Sequence, residues 1–112
     1  VVGVSDAAGA RAAGLAGPGV DAVLVEPKVE GALGGTGTPL DPSLGRLARM
    51  ALVGQRMVLA GGLRPDTVAA AVARIGPDVV DVSSGVERVP GEKDPALIRS
   101  FLEALVGDLP SP

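Results

Sequence analysis

Cysteine and histidine are both absent from this 112-residue chain, and so are tryptophan and tyrosine; Phe101 is its one aromatic residue. Without Cys or His there are no disulfides, thiolate nucleophiles, His-based triads or zinc sites of the usual kind within the chain. Acid–base chemistry therefore falls to carboxylates, Lys or water. Without aromatics there is no platform on which bases can stack. Basic excess is missing too. The formal net charge is −3 and the pI is 4.8, which argues against nucleic acid or an anionic membrane as partner. No apolar run approaches the roughly 20 residues of a bilayer-spanning helix, and no signal peptide is visible. These absences leave a cytoplasmic enzyme that needs neither metal nor cofactor as the default expectation.

What is present is a hydrophobic fraction of 46%, weighted towards Ala and Val, with 17 Gly and 10 Pro. Four short apolar segments recur, at Val1–Val4, Ala22–Val25, Met57–Ala60 and Val79–Val82. Continuous Val/Leu runs of this length are how strands look when both faces of a parallel sheet are covered. Helical stretches separate them. The first, about Ala7–Ala16, is Ala-rich but weakened by Gly9 and Gly14. The second, about Ser43–Leu52, carries Leu44, Leu47 and Ala51 at helical spacing. The third spans about Pro65–Ile75, with Pro65 in its first turn and Gly76 past its end. The fourth has Asp94 as N-cap, Pro95 at the first helical position, Gly107 to close it, and a stripe of Leu97, Ile98, Phe101, Leu102 and Leu105.

The order β-α-β-α-β-α-β-α is the rhythm of βα units. At 112 residues the chain holds one domain but is far short of the about 250 residues of a complete (β/α)₈ barrel. It opens on Val1, inside an apolar segment, without Met or leader. The expected reading is a piece of a larger protein, its C-terminal half. The connector Glu26–Pro42 is too long for an ordinary βα loop and is expected to be functional. The tail Asp108–Pro112 is expected to fray.

Two strand-to-helix junctions, Leu59-Ala60-Gly61-Gly62-Leu63-Arg64-Pro65 and Val80-Asp81-Val82-Ser83-Ser84-Gly85-Val86-Glu87, carry the clearest functional signal. Small residues let backbone N–H groups approach an anion, and a helix start adds partial positive charge. Such a pair suits the phosphate site on the last two strands of a (β/α)₈ barrel. Gly34-Gly35-Thr36-Gly37 is not a nucleotide P-loop, because no Gly-Lys-Ser/Thr closes it. The other readings are a tight turn at Gly61 and Gly62, a capping role for Ser83, Ser84 and Gly85, and a plain flexible loop at Gly34–Gly37. Arg46, Arg49, Arg74 and Arg99 read as solvated helix faces, and Lys93-Asp94-Pro95 as helix entry.

Taken in order, these segments resemble the phosphoribosylanthranilate isomerase family of tryptophan biosynthesis. Val1–Ser5 is similar to its fifth strand, Asp21–Glu26 to its sixth, Gly34–Gly37 to its glycine loop, and Leu59–Leu63 with Pro65 and Val68 to its seventh strand. Val80–Glu87, Pro90-Gly91 and Lys93–Pro95 match its eighth strand and exit. The resemblance implies strands five to eight of a (β/α)₈ TIM barrel of the ribulose-phosphate-binding type, as one partial barrel domain over residues 1–112. It implies an Amadori rearrangement of N-(5-phosphoribosyl)anthranilate to 1-(2-carboxyphenylamino)-1-deoxyribulose 5-phosphate. Glu26 stands at the family's general-acid position, where Asp is usual. Asp81 is implied in substrate positioning, and Gly34, Gly35, Gly37, Gly61, Gly62, Ser83, Ser84 and Gly85 in phosphate binding. The family's base is a Cys on the first strand, which this chain lacks, so the chain alone is expected to be inactive. Expected partners are the sugar phosphate and either an N-terminal half-barrel or a second copy of the chain. Two alternatives stay open: another ribulose-phosphate-binding barrel, and a non-catalytic half-barrel that self-associates and binds phosphate.

Overall fold

In a computed structural model, residues 1–16, 19–28 and 38–106 are described. Gly34, Gly35 and Gly37 of the glycine loop, Gly107 and the tail Asp108–Pro112 lie outside these residues. Four strands, β1 (Val2–Val4), β2 (Ala22–Pro27), β3 (Arg56–Leu59) and β4 (Val79–Val80), form one sheet. All three pairings are parallel and the strand order follows the chain. Helices α1 (Ala7–Ala12), α2 (Pro42–Ala51), α3 (Val68–Ile75) and α4 (Pro95–Val106) alternate with the strands, as the spacing predicts. α1 runs on into a 3₁₀ turn, Ala13–Ala16.

Sheet register divides the strand residues between two faces. Val23 and Val25 of β2 pair with Met57 and Leu59 of β3, and Val4 of β1 pairs with Pro27. Val4, Val23, Val25, Met57 and Leu59 are all buried, in one cluster with Ala10, Ala13, Ala48, Leu52, Val68, Ile75 and Phe101 from the helices. Helices therefore cover one face only. The opposite face carries Gly3, Leu24, Glu26, Val58 and Val79, which align by register and alternation. Sequential parallel order with helices on one side is barrel geometry. A doubly wound sheet would reverse its order and cover both faces.

Local chemistry accounts for the helix ends. Asp6 accepts from Gly9 N–H at 2.7 Å, Asp41 from Ser43 N–H at 2.8 Å and Asp94 from Ala96 N–H at 2.9 Å, each satisfying an orphan donor of a first turn. Gly76 closes α3 in the left-handed region at φ 77°. Pro65 stands outside α3, which starts at Val68. Arg64–Thr67 forms a turn ahead of it, held by the Thr67 hydroxyl accepting from Arg64 N–H at 3.2 Å.

Three further features depart from the sequence reading. β4 ends at Val80 rather than Val82, because only Asp81 N–H continues the ladder, to Leu59 O at 2.9 Å. A small antiparallel hairpin, β5 (Glu87–Val89) and β6 (Glu92–Lys93), lies before α4. On α4 only Phe101 is fully buried, while Ile98 and Leu102 remain 39% and 46% exposed. α4 packs on α3 and on the 3₁₀ turn Ser84–Val86, so its apolar stripe is covered along one edge.

Candidate active site

The C-terminal ends of β2, β3 and β4 converge on a cavity of about 160 Å³. Its lining comprises Glu26, Ala60, Gly61, Gly62, Leu63, Asp81, Val82, Ser83, Ser84 and Gly85. Every sequence-identified site residue among the described ones is thus gathered in one place. Ladder bonds explain why. Ala60 N–H donates to Val25 O at 3.0 Å and Asp81 N–H to Leu59 O at 2.9 Å. These level Glu26, Ala60 and Asp81 across three adjacent strands. Glu26 and Asp81 share the helix-free face with β3 between them, two strand spacings or about 10 Å apart along the backbone.

Asp81 is exposed and Glu26 is partly buried. Asp81 avoids the cost of burying an unpaired carboxylate, because β4 stops before it. Neither carboxylate has a hydrogen bond or ion pair with another described residue. Both face the cavity as unengaged acceptors.

The floor is built by close approach of loop backbones to one another and to the Pro27 ring. Gly61 and Gly62 adopt φ 96° and 66°, the left-handed region in which a Cβ costs about 1–2 kcal/mol. A Cβ on Gly61 would lie 2.3 Å from Pro27 Cδ, and one on Gly62 would lie 2.5 Å from Pro39 N. A Cβ on Gly85 would lie 1.8 Å from Leu63 O. The positive φ of Gly61 and Gly62 fits the tight-turn reading; these two glycines also let the loop after β3 approach Pro27 and Pro39, while Gly85 lets the loops after β3 and β4 touch. Capping fits Ser83 less well, since it precedes the 3₁₀ turn Ser84–Val86 without a side-chain cap bond. Among the described residues the N–H groups of Gly61, Gly62, Ser83, Ser84 and Gly85 donate to no protein acceptor. A row of such donors beside a 3₁₀ start is suited to an anion.

The lining contains no Lys or Arg. Behind it, Lys93 Nζ donates to Ser83 O at 2.9 Å, approaches Ser83 Oγ at 3.4 Å and pairs with Glu87 at 2.8 Å. The Lys93 bond and Gly91 N–H hold the Glu87 carboxyl below its ordinary pKa, against a smaller opposing effect of burial. Glu87 and Lys93 are a directly opposed pair in the β5–β6 hairpin. Sequence reading assigned neither of them a site role. The only signal was Pro90-Gly91 between two polar runs, a turn with Gly91 at φ 83°. No group of three or more His, Cys, Asp or Glu suited to a metal occurs among the described residues. Among them, no helix is long and apolar enough to cross a membrane.

A parallel α/β sheet of barrel type, with its cavity at the carboxyl ends of the strands, defines the class of protein. The profile of the N-(5'-phosphoribosyl)anthranilate (PRA) isomerase family matches residues 11–104. N-(5'-phosphoribosyl)anthranilate isomerase of Granulibacter bethesdensis is 56% identical over 90 residues, covering 78% of this chain and 42% of the relative. That of Pseudomonas fluorescens is 48% identical over 94 residues, covering 84% and 43%. The Thermotoga maritima phosphoribosyl anthranilate isomerase structure superposes with a TM-score of 0.76 at 35% identity, over 95% of this chain and 49% of that one. A phosphoribosyl anthranilate isomerase in complex with reduced 1-(o-carboxyphenylamino)-1-deoxyribulose 5-phosphate superposes at 0.71 with 31% identity, over 95% and 46%. The chain belongs to the PRA isomerase family, and it spans less than half the length of these relatives.

Proposed function

We propose that this chain forms strands five to eight, the C-terminal half, of a PRA isomerase barrel, as one partial domain over residues 1–112, and supplies the phosphate loops and the acid side of its site. The observation that carries this reading is the single cavity holding Glu26 and Asp81 above the unpaired N–H groups of two touching loops. In this role the loops Gly61-Gly62 and Ser83–Gly85 hold the 5'-phosphate, and remote binding energy fixes the sugar. Gly34, Gly35 and Gly37, outside the described residues, join the phosphate-binding set in this reading. Glu26 protonates the furanose oxygen of N-(5-phosphoribosyl)anthranilate and opens the ring to a Schiff base. A base on the opposite side then removes the C2 proton. The resulting enolamine tautomerises to the 1-deoxyribulose 5-phosphate, with Asp81 orienting the open chain. That base is absent here, as the chain has no Cys, and it belongs to the other half of the barrel. The enzyme is cytoplasmic in this reading.

Two measurements test the proposal. Incubated with N-(5-phosphoribosyl)anthranilate, the purified chain gives no turnover above background; measurable turnover overturns the assignment of the base to another segment. Titrated with inorganic phosphate, the ¹⁵N-labelled chain shows amide shifts concentrated at Gly61, Gly62 and Ser83–Gly85. Shifts spread over the surface, or none, remove the phosphate assignment.

A second reading has support from the uncovered face. Leu24 and Val58 are only half-buried there and Val79 is 46% exposed, between two sheet edges that no other described strand pairs. A second copy of the chain covering this face gives a self-associating half-barrel.

A further inference from the structure

Among the described lining residues Lys93 hydrogen-bonds only to Ser83, its ammonium donating to the carbonyl oxygen at 2.9 Å and more weakly to Oγ at 3.4 Å. A trans peptide is planar, with its C=O and N–H on opposite sides. Fixing Ser83 C=O away from the cavity therefore fixes Ser84 N–H towards it. Val86 N–H donates to the same oxygen at 3.3 Å, so the carbonyl is held from two directions. The ammonium also polarises the peptide, which strengthens the opposed N–H as a donor. Glu87, with a side chain only 14% exposed, fixes the ammonium in place at 2.8 Å. Its other oxygen accepts from Gly91 N–H at 3.3 Å, tying the pair to the turn of the hairpin.

We infer that Lys93 is a positioning residue: through Ser83 it orients and polarises the Ser83–Ser84 peptide so that Ser84 N–H meets a phosphate oxygen, with Glu87 as its brace. This inference rests on the phosphate reading of the cavity. It also gives the hairpin β5–β6 a role, as the support of the second phosphate loop. Because the lining offers the anion two carboxylates and no cation, a donor strengthened from behind matters more here than in a basic site.

The test uses the whole 112-residue chain, inorganic phosphate as probe and backbone amide NMR as readout. Lys93→Met weakens phosphate binding on the order of tenfold, the effect of losing one charge-assisted hydrogen bond, and Lys93→Arg recovers most of it. Arg88 lies on the same hairpin in an exposed pair with Glu92. Arg88→Met removes the same charge and changes binding less than about twofold. The double variant Glu87→Gln/Lys93→Met keeps the wild-type net charge and stays as weak as Lys93→Met. Wild-type affinity in Lys93→Met, or an equal loss in Arg88→Met, overturns the inference. If the wild-type chain itself shows no phosphate response, the phosphate reading fails, and the ligand-free spectra still decide the positioning role. Lys93→Met then moves the Ser84 and Gly85 amide shifts and speeds exchange of Val86 N–H while Arg88→Met does not. Unchanged spectra overturn the inference.

Discussion

Single atoms decide whether the loops after β3 and β4 can meet, and Gly85 is the tightest case. Its missing Cβ would sit 1.8 Å from Leu63 O and 3.2 Å from Arg64 Cα. These are backbone atoms that no rotamer change can move. Gly85→Ala should destabilise the chain by about 2 kcal/mol or more, read from the urea midpoint, and should erase phosphate-induced shifts at Gly61 and Gly62. Gly54 sits at φ 82° with open space around its missing Cβ. Gly54→Ala should lose only the backbone term of about 1 kcal/mol and keep the phosphate response. The lowered pKa of Glu87 gives a second prediction. Its proton is bound more tightly in the unfolded chain, so the Glu87–Lys93 contribution is complete above the ordinary carboxylate range. It is lost as pH falls through the lowered folded value. Between about pH 6 and about pH 3, Glu87→Gln should flatten the acid loss of stability relative to wild type, measured by urea unfolding at each pH. An unchanged slope would place the acid sensitivity elsewhere. The candidate residues that line one cavity were legible because small residues and carboxylates interrupt apolar runs, a contrast visible along the chain. The link from Lys93 to Ser83 was not, because it needs the register of a hairpin whose strands are two and three residues long.

Elements pack here through small residues, and this changes what the helix sequences mean. Gly14, which weakens a helix when read alone, stands where a Cβ would meet Ala51 O at 2.5 Å. It lets the turn after α1 close on the end of α2. Arg46 and Arg49 do more than solvate a helix face. Arg46 donates to Ile75 O at 3.2 Å, satisfying a carbonyl at the end of α3, and Arg49 lies 3.6 Å from Asp78. Asp78 in turn accepts Met57 N–H at the start of β3, at 2.9 Å. These bonds span 21 to 29 residues, beyond the reach of helical spacing. Strand and helix existence was legible because periodicity is local, whereas the carbonyl that an Arg caps is set by tertiary packing. Gly45 on α2 offers a direct test. Ala at an open helix position gains about 1 kcal/mol over Gly, but here the new Cβ would lie 2.5 Å from Ile75 Cδ1. Ile75→Val removes that methyl at a loss of about 1 kcal/mol. Gly45→Ala should therefore be destabilising alone and less destabilising in the Ile75→Val background, where Cγ1 would still lie 2.9 Å away, with a coupling of about 1 kcal/mol or more in the double-mutant cycle. Additive effects would mean that α2 and α3 part easily at this point.

At the scale of the whole molecule, one face of the sheet is built into a core and the other is not. The asymmetry is physical: every fully buried strand side chain lies under the helices, while the helix-free face presents Leu24, Val58 and Val79 beside Glu26 and Asp81. In a closed barrel that face is the filled interior. That Leu24, Glu26, Val58 and Val79 share a face follows from strand register and alternation. Which face the helices leave open does not show in the sequence, because continuous apolar runs look alike on both sides. Exposed Ile98 and Leu102 add apolar surface on α4. Burial of such surface stabilises association by about 25 cal/mol per Å² before entropic losses, so a chain of 11.0 kDa should not stay monomeric as its concentration rises. Light scattering across a dilution series should show a mass above that of one chain at high concentration. Val79→Lys should weaken the association on the order of tenfold by placing a charge in the covered face. Val53 is 81% exposed at the end of α2, and Val53→Lys should leave the association unchanged. A monomer throughout removes the self-associating reading. Loss of association in Val53→Lys alone would move the contact to the opposite end of the fold and leave the open barrel face free for the other half of the barrel.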